Sequence, residues 1–157
     1  MEIYNASATL TFEALSCFTK APLRVVLEPG EKLYRFVTIV SPAFKGNEIF
    51  SSPWWIPSET YRRIAKTAHR TSKPIADVAR SRLAVAFQWN PEMDWLTILV
   101  LKQPVQAWVG PAKPQPFSGG HRSVMLLGNY DQAYVPDLAP PGAMASEAAA
   151  VEYFGSA

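Results

Sequence analysis

Short apolar runs rich in β-branched residues lie on both sides of a central segment and predict β-strands. Residues 23–27 (LRVVL) and 33–40 (LYRFVTIV) form the first pair, and Pro29 and Gly30 between them favour a reversal of the chain. Four more runs follow in the second half of the chain: residues 95–101 (WLTILVL), 105–109 (VQAWV), 123–127 (SVMLL) and 132–135 (QAYV).

The central segment changes to a helical pattern. Ser58 is suited to cap a helix that runs to about Arg70, and Ser72 with Pro74 predicts the start of a second helix. Apolar residues at positions 75, 78, 79 and 83 would share one face of that second helix. The preceding residues 41–57 are predicted as a loop with aromatic side chains, since prolines and a glycine interrupt them.

Three segments lack a strong period. Residues 110–120 are predicted as a Pro/Gly-rich loop, and Gly128 with Asn129 predicts a turn. From residue 139 to 157 the chain is rich in Ala, Pro and Gly and is expected to be a tail with little to pack, except for a short helix over 146–154.

Strands, a helical insertion and strands again predict an α+β fold with a split, mostly antiparallel sheet. The 157 residues are enough for one core and too few for two ordinary domains, so a single domain over residues 1–157 is expected. Neither G-x-G-x-x-G nor G-x-x-x-x-G-K-[ST] occurs, so the sequence gives no indication of a Rossmann or P-loop nucleotide site.

Composition narrows the function classes. Apolar residues make up 48% and charged residues 18%, which predicts a folded chain, and a net charge of +2 gives no general attraction to nucleic acid. The single cysteine, Cys17, excludes an intrachain disulfide and a Cys-based zinc site and suits a reducing compartment.

His69 and His121 lie outside any H-E-x-x-H motif, so a metal site has little support. A secretory leader and a membrane-length apolar run are also missing, which gives the chain a cytosolic character.

Arg35 is the first candidate for a functional role. An arginine inside an apolar strand is costly to bury unless it meets an anion, and its planar fork suits a phosphate or a carboxylate. The alternative that does not involve a ligand is an ion pair with Glu31, Glu48 or another acid, or exposure at a sheet edge.

Residues 50–55 (FSSPWW) place two hydroxyls beside two indoles. Ser51 and Ser52 could bond a ribose, and Trp54 or Trp55 could stack on a nicotinamide ring. Taken alone, the motif favours the alternative that the tryptophans pack in a core. Glycosyl transfer from NAD passes through a cationic ribose that a carboxylate stabilises, and for this the last strand offers only Asp131 next to Gln132.

The two predicted helices hold the one local concentration of basic residues. It comprises Arg62, Arg63, Lys66 and Arg70, with Lys73, Arg80 and Arg82 beyond them. Such a patch can guide RNA, DNA or an acidic protein to a site, or it can be an ordinary solvated helix face.

Taken in order, these motifs resemble the ADP-ribosyltransferase-fold toxin domains at the C-termini of Rhs-type and other polymorphic bacterial toxins, including type VI secretion effectors. The similar segments are Leu33-Tyr34-Arg35, Ser52-Pro53-Trp54-Trp55, residues 82–85 with Trp89-Asn90, residues 105–112 and residues 127–136. They span positions 33 to 136. Their common order, rather than any one motif, carries the resemblance.

The resemblance implies a mono-ADP-ribosyltransferase toxin of bacterial competition, which uses NAD and acts in the cytoplasm of a target cell. Tyr34 and Arg35 would contact NAD, with Ser51 or Ser52 at the ribose and Trp54 or Trp55 near the ring. The implied catalytic residues are Arg35, Gln132 and Asp131. It also implies delivery by a secretion system or a larger polypeptide, a protein or RNA acceptor, and an immunity protein.

Two departures from the family pattern matter. Gln132 stands where the family often has a glutamate, so that position supplies no charge. The stretch between Tyr61 and Arg82 is longer than the family pattern and is expected to determine the target. NAD hydrolysis and a non-catalytic binding module therefore stay open as alternatives.

Overall fold

The computed structural model describes residues 2–38, 50, 52–85, 93, 95–119, 122–138 and 148–155. Its helices are α1 (Phe12–Leu15), α2 (Ser58–Thr71) and α3 (Ile75–Arg82). Its strands are β1 (Leu23–Leu27), β2 (Lys32–Val37), β3 (Trp54–Pro57), β4 (Trp95–Leu101), β5 (Val105–Pro111), β6 (Gln115–Gly119), β7 (Arg122–Leu126), β8 (Asp131–Tyr134) and β9 (Ala149–Gly155).

Seven strands form one sheet in the order β1-β5-β8-β3-β2-β4-β9, and every neighbouring pair is antiparallel. The remaining two strands, β6 and β7, form a separate hairpin. A mostly antiparallel sheet with a few helices confirms the α+β class that the sequence predicts. In the part of the chain that the structure describes, no helix is both long and apolar enough to cross a membrane.

The main sheet is strongly curled. Strands β4 and β5 are joined by residues 102–104 alone, yet they stand four positions apart in the strand order. Four spacings across a flat sheet amount to about 19 Å, whereas four residue steps reach about 14 Å at most. The sheet must therefore bend so that one of its faces turns inward.

Strand alternation sorts the side chains onto two faces. We call one the inner face; it carries the buried cluster that includes Leu33, Trp55, Leu99, Ala107 and Ala133. We call the other the helical face, because its side chains pack against the helices; they include Phe36, Ile56 and Leu96 under α2 and α3, and Trp54, Trp108 and Tyr134 beside α1. Strands β2, β3, β4, β5 and β8 thus each contribute to two cores.

Helix α2 lies on the sheet through Ile64 and Ala68, which are four residues apart and so share one side of the helix. The helix ends at Ser72, whose left-handed backbone (φ 54°) stops further helical bonding, and Pro74 precedes α3. Pro57, rather than Ser58, is the residue before the first turn. The Ser58 hydroxyl instead donates to the Lys32 carbonyl at 2.9 Å and ties α2 to β2.

Three sequence predictions of local structure are wrong. Residues 54–57 form β3 rather than the end of a loop, and residues 115–119 of the predicted Pro/Gly loop form β6. Residues 149–155 form β9, not a helix, and pair with β4 along its whole length, so the predicted tail supplies an edge strand. Pairing with β4 overrides the helix propensity of the alanines. Between β7 and β8, Gly128 and Asn129 have left-handed backbones (φ 63° and 71°), and a Cβ at Gly128 would collide with the Ala112 carbonyl.

Candidate functional site

The sheet splits between β2 and β3. Only Ile56 and Pro57 of β3 pair with β2, whereas Trp54 and Trp55 pair with β8 on the other side. Arg35 is the next residue of β2 after the last of these pairs. Its side chain therefore stands where the two strands separate.

The Arg35 guanidinium fills this split. Its Nε donates to the Trp54 carbonyl at 2.9 Å, and its Nη2 donates to the carbonyls of Trp54 (2.7 Å) and Ser52 (2.6 Å). The Pro53 carbonyl points the opposite way and accepts the Val135 N–H at 2.7 Å. Because carbonyls alternate along a strand, those of Ser52 and Trp54 face β2. Arg35 thus replaces backbone donors that β2 would otherwise supply.

Arg35 also stacks on the inner face of the sheet, where its Cζ lies 3.8 Å from the centre of the Trp55 ring. Burial lowers the pKa of this guanidinium to about 9 through desolvation, so the side chain stays charged at neutral pH. The Glu31 carboxylate, a predicted partner, accepts the Glu28 N–H instead, and Glu48 lies outside the described residues. A positive charge is therefore held firmly at the split.

Two hydrogen-bonding groups flank Arg35 and have no partner. Among the described residues, Trp55 Nε1 and Thr97 Oγ1 are the buried side-chain polar atoms without a hydrogen bond. Thr97 pairs with Arg35 across the β2–β4 ladder, and Trp55 lies against the guanidinium. An unsatisfied buried group costs about 1–3 kcal/mol. An indole N–H and a hydroxyl on either side of a cation are groups that suit phosphate or hydroxyl oxygens.

A cavity of about 230 Å³ lies near the Arg35–Trp55 pair. It is lined by Phe50, Pro53 and residues 134–138, and the Phe50 ring lies 6.3 Å from that of Trp55. Sites that enclose a drug-sized ligand usually measure about 300–1,000 Å³. This cavity fits a single ring or sugar rather than a dinucleotide.

The structure separates the two neighbouring tryptophans. Trp55 lies on the inner face with Arg35, whereas Trp54 packs on the helical face, with ring centres 5.5 Å from Phe18 and 5.1 Å from Tyr134. Adjacent strand residues point to opposite faces, so one ligand ring cannot meet both indoles. Core packing therefore explains Trp54.

The predicted serines have different positions. Ser52 contacts Arg35 through its carbonyl, and its hydroxyl accepts the Trp54 N–H at 3.4 Å. Ser51 lies outside the described residues. The hydroxyl of Ser52 thus serves the local turn in this structure.

Tyr34 and Gln132 lie on the helical face, away from Arg35. The Tyr34 ring stacks on Tyr61 of α2 at 4.1 Å, and the Gln132 amide donates to the Cys17 carbonyl at 3.1 Å. Asp131 is exposed and falls on the inner side by alternation with Ala133. Of the predicted site residues, the structure thus brings together Arg35, Ser52 and Trp55.

The basic residues of α2 lie on the helical side of the sheet, behind the face that carries Arg35. Arg62, Arg63, Lys66 and Arg70 are exposed. Arg62 forms an ion pair with Glu59 at 3.2 Å, the single pair among the described residues, and Arg63 stacks over Tyr130 at 4.0 Å. These side chains form a surface separate from the Arg35 site.

Sequence reasoning missed Thr97 and Asp137. Thr97 is a polar residue in the otherwise apolar run WLTILVL, which is a usable signal for a buried hydroxyl. Asp137 lines the cavity only because of tertiary packing, and no local pattern indicates it.

No protein-family model and no curated protein sequence matches this chain. Among solved structures, a chain from "Structure of Tne2 in complex with Tni2" is similar with a TM-score of 0.44 and 14% identity, over 86% of this chain and 88% of that one. Similarity at this level carries no functional argument.

Proposed function

We propose that this protein is an NAD-consuming toxin of the ADP-ribosyltransferase type that transfers ADP-ribose to a macromolecule. One observation carries the proposal: a guanidinium is held at the split of an antiparallel sheet, stacked on an indole and flanked by two unpartnered hydrogen-bonding groups. The order of the motifs around it supports the same class. We also propose delivery into a target cell and an immunity partner, and only the motif resemblance supports these two points.

The groups on the inner face would bind NAD in two parts. The charge of Arg35, with the Trp55 N–H and the Thr97 hydroxyl, suits the pyrophosphate oxygens. The neighbouring cavity suits nicotinamide or its ribose by size. Cleavage breaks the bond between C1′ and the nicotinamide nitrogen, whose electron pair leaves with nicotinamide. The acceptor oxygen or nitrogen then bonds C1′ and releases its proton to a carboxylate or water.

Water is the second candidate acceptor, which would make the protein an NAD glycohydrolase. The position of Gln132 favours it, because the amide expected to orient a macromolecular acceptor bonds the Cys17 carbonyl on the helical face. Hydrolysis does not need that residue. The two reactions share the Arg35 site and differ only in the nucleophile.

NAD labelled in its adenylate part separates these functions when it is incubated with the pure protein and cell lysate. Label on a macromolecule indicates a transferase, and protease or nuclease treatment then identifies the acceptor class. Free labelled ADP-ribose with no labelled macromolecule indicates the glycohydrolase. Intact NAD in every sample contradicts both and leaves a binding module.

The replacement Thr97→Val is expected to stabilise the fold by about 1 kcal/mol, because it removes a buried hydroxyl that has no partner. It should also weaken NAD binding several-fold if that hydroxyl serves the ligand. Urea unfolding and calorimetry measure the two effects.

Thr67→Val is the matched control for Thr97→Val. Thr67 is also buried, but its hydroxyl bonds that of Tyr130 at 2.9 Å. This variant should lose about 1 kcal/mol of stability and keep NAD binding. Equal losses of stability in both variants would show that the Thr97 hydroxyl has a hydrogen-bond partner in the folded protein.

Charge reversal on α2 tests the basic surface. Lys66→Glu with Arg70→Glu should reduce transfer to a polyanionic acceptor about tenfold at low salt while leaving NAD cleavage without acceptor unchanged. Both side chains are exposed, so the fold should persist. Lys102→Glu with Lys113→Glu makes the same change in net charge elsewhere on the surface. Equal loss in the two double variants would contradict a specific role for α2.

A further inference from the structure

We infer that Asp137 is the catalytic carboxylate of the NAD cleavage proposed above, on which this inference rests. The motif order points to Asp131 and Gln132 for this role. The geometry of the cavity points instead to the acid just beyond β8.

Asp137 is held in an uncommon backbone conformation. Its φ is 60°, in the left-handed region that side chains other than glycine, asparagine and aspartate rarely adopt. The residues around it are anchored: the Pro136 carbonyl accepts the Asn5 Nδ2–H at 2.8 Å, and Leu138 is 2% exposed. Asp137 itself is exposed and lines the cavity. The surrounding structure thus holds the backbone of Asp137 beside the cavity.

The pairing of β3 with β8 places Asp137 at the end of the split where the β3 carbonyls hold Arg35. Tyr134 faces Trp54, and the Val135 N–H bonds the Pro53 carbonyl, so the chain after β8 continues past the beginning of β3. The Ser52 and Trp54 carbonyls that hold Arg35 lie at this same end.

Asp131 lies at the other end of β8. It lies three residue steps before Tyr134, which corresponds to about 10 Å along a strand. It does not line the cavity beside Phe50 and Pro53. Asp131 is therefore placed to serve the surface rather than a ribose held in that cavity.

A carboxylate at this position has a defined task. As the bond from C1′ to nicotinamide breaks, positive charge develops on the ribose, and the Asp137 carboxylate stabilises it at short range. When the acceptor bonds C1′, the same carboxylate takes the proton that the acceptor loses.

Asp137→Asn in the full chain tests the inference, with Asp131→Asn as the matched control. Asparagine tolerates the left-handed region as well as aspartate does, so the exchange removes charge without backbone strain. Nicotinamide release should fall at least 100-fold in Asp137→Asn and less than threefold in Asp131→Asn. The affinity for ADP-ribose should stay within threefold of the parent in both variants.

Asp137→Gly provides a second variant that relieves the backbone strain. It should lose nicotinamide release to the same extent while its melting temperature stays equal or rises. Release near the parent rate in either Asp137 variant, from a parent that is active, overturns the inference and leaves the proposed function standing. A parent that releases no nicotinamide overturns both.

Discussion

Arg35→Ala should abolish NAD cleavage and lower the free energy of unfolding by about 3–5 kcal/mol. The alanine leaves the Ser52 and Trp54 carbonyls without the donors that hold them and removes the cation from the Trp55 ring. Both effects arise from one side chain because it joins the split strands and supplies the charge of the site. Urea unfolding and nicotinamide release measure them separately.

Arg35→Lys is the informative control. Lysine keeps the positive charge, but its single nitrogen cannot reproduce the planar contact with two carbonyls and a ring. We expect a stability between those of the parent and Arg35→Ala, and nicotinamide release at least tenfold below the parent. Parental stability and activity in Arg35→Ala would remove this residue from the site.

Gln106→Leu should destabilise the protein by about 3–4 kcal/mol without touching the site, because it breaks a buried amide network. The Gln106 side chain is 2% exposed, and its Nε2 donates to the carbonyls of Asn5 and Ala8 at 2.7 Å each. Leucine fills a similar volume, but the Ala8 carbonyl then loses this donor and the Asn5 carbonyl keeps only the bond from the Ala8 N–H, at 3.0 Å. The urea midpoint should fall while the slope of the transition is kept.

Arg24→Ala is the control for this network. It removes only the bond from Arg24 Nε to Gln106 Oε1, at 2.8 Å, on an exposed residue of the edge strand β1. It should cost no more than about 1 kcal/mol. A Gln106→Leu loss no larger than that of Arg24→Ala would mean that the amide network adds little to stability.

The sequence indicates β4 correctly because a long apolar run without prolines has few alternatives. It misleads at β9, where alanines favour a helix locally and only the neighbouring β4 makes them a strand. The sequence also fails to indicate β3. Prolines at both ends of Trp54–Pro57 suggest a loop, although they fit the ends of a short strand.

The error at β3 also explains what could be predicted of the site. Reading residues 54–57 as a loop places both tryptophans beside one ligand, whereas strand alternation separates them. Arg35 stands out from the sequence because burying a guanidinium demands compensation. Asp137 does not, since its relation to Arg35 depends on how β3 pairs with β8.

Release of free nicotinamide from NAD by the purified protein tests the central claim most directly. We expect release that rises in proportion to protein concentration and is lost in Arg35→Ala, with the Thr67→Val variant as active control. No release above background, together with no measurable affinity for ADP-ribose, would contradict an NAD site at the split between β2 and β3.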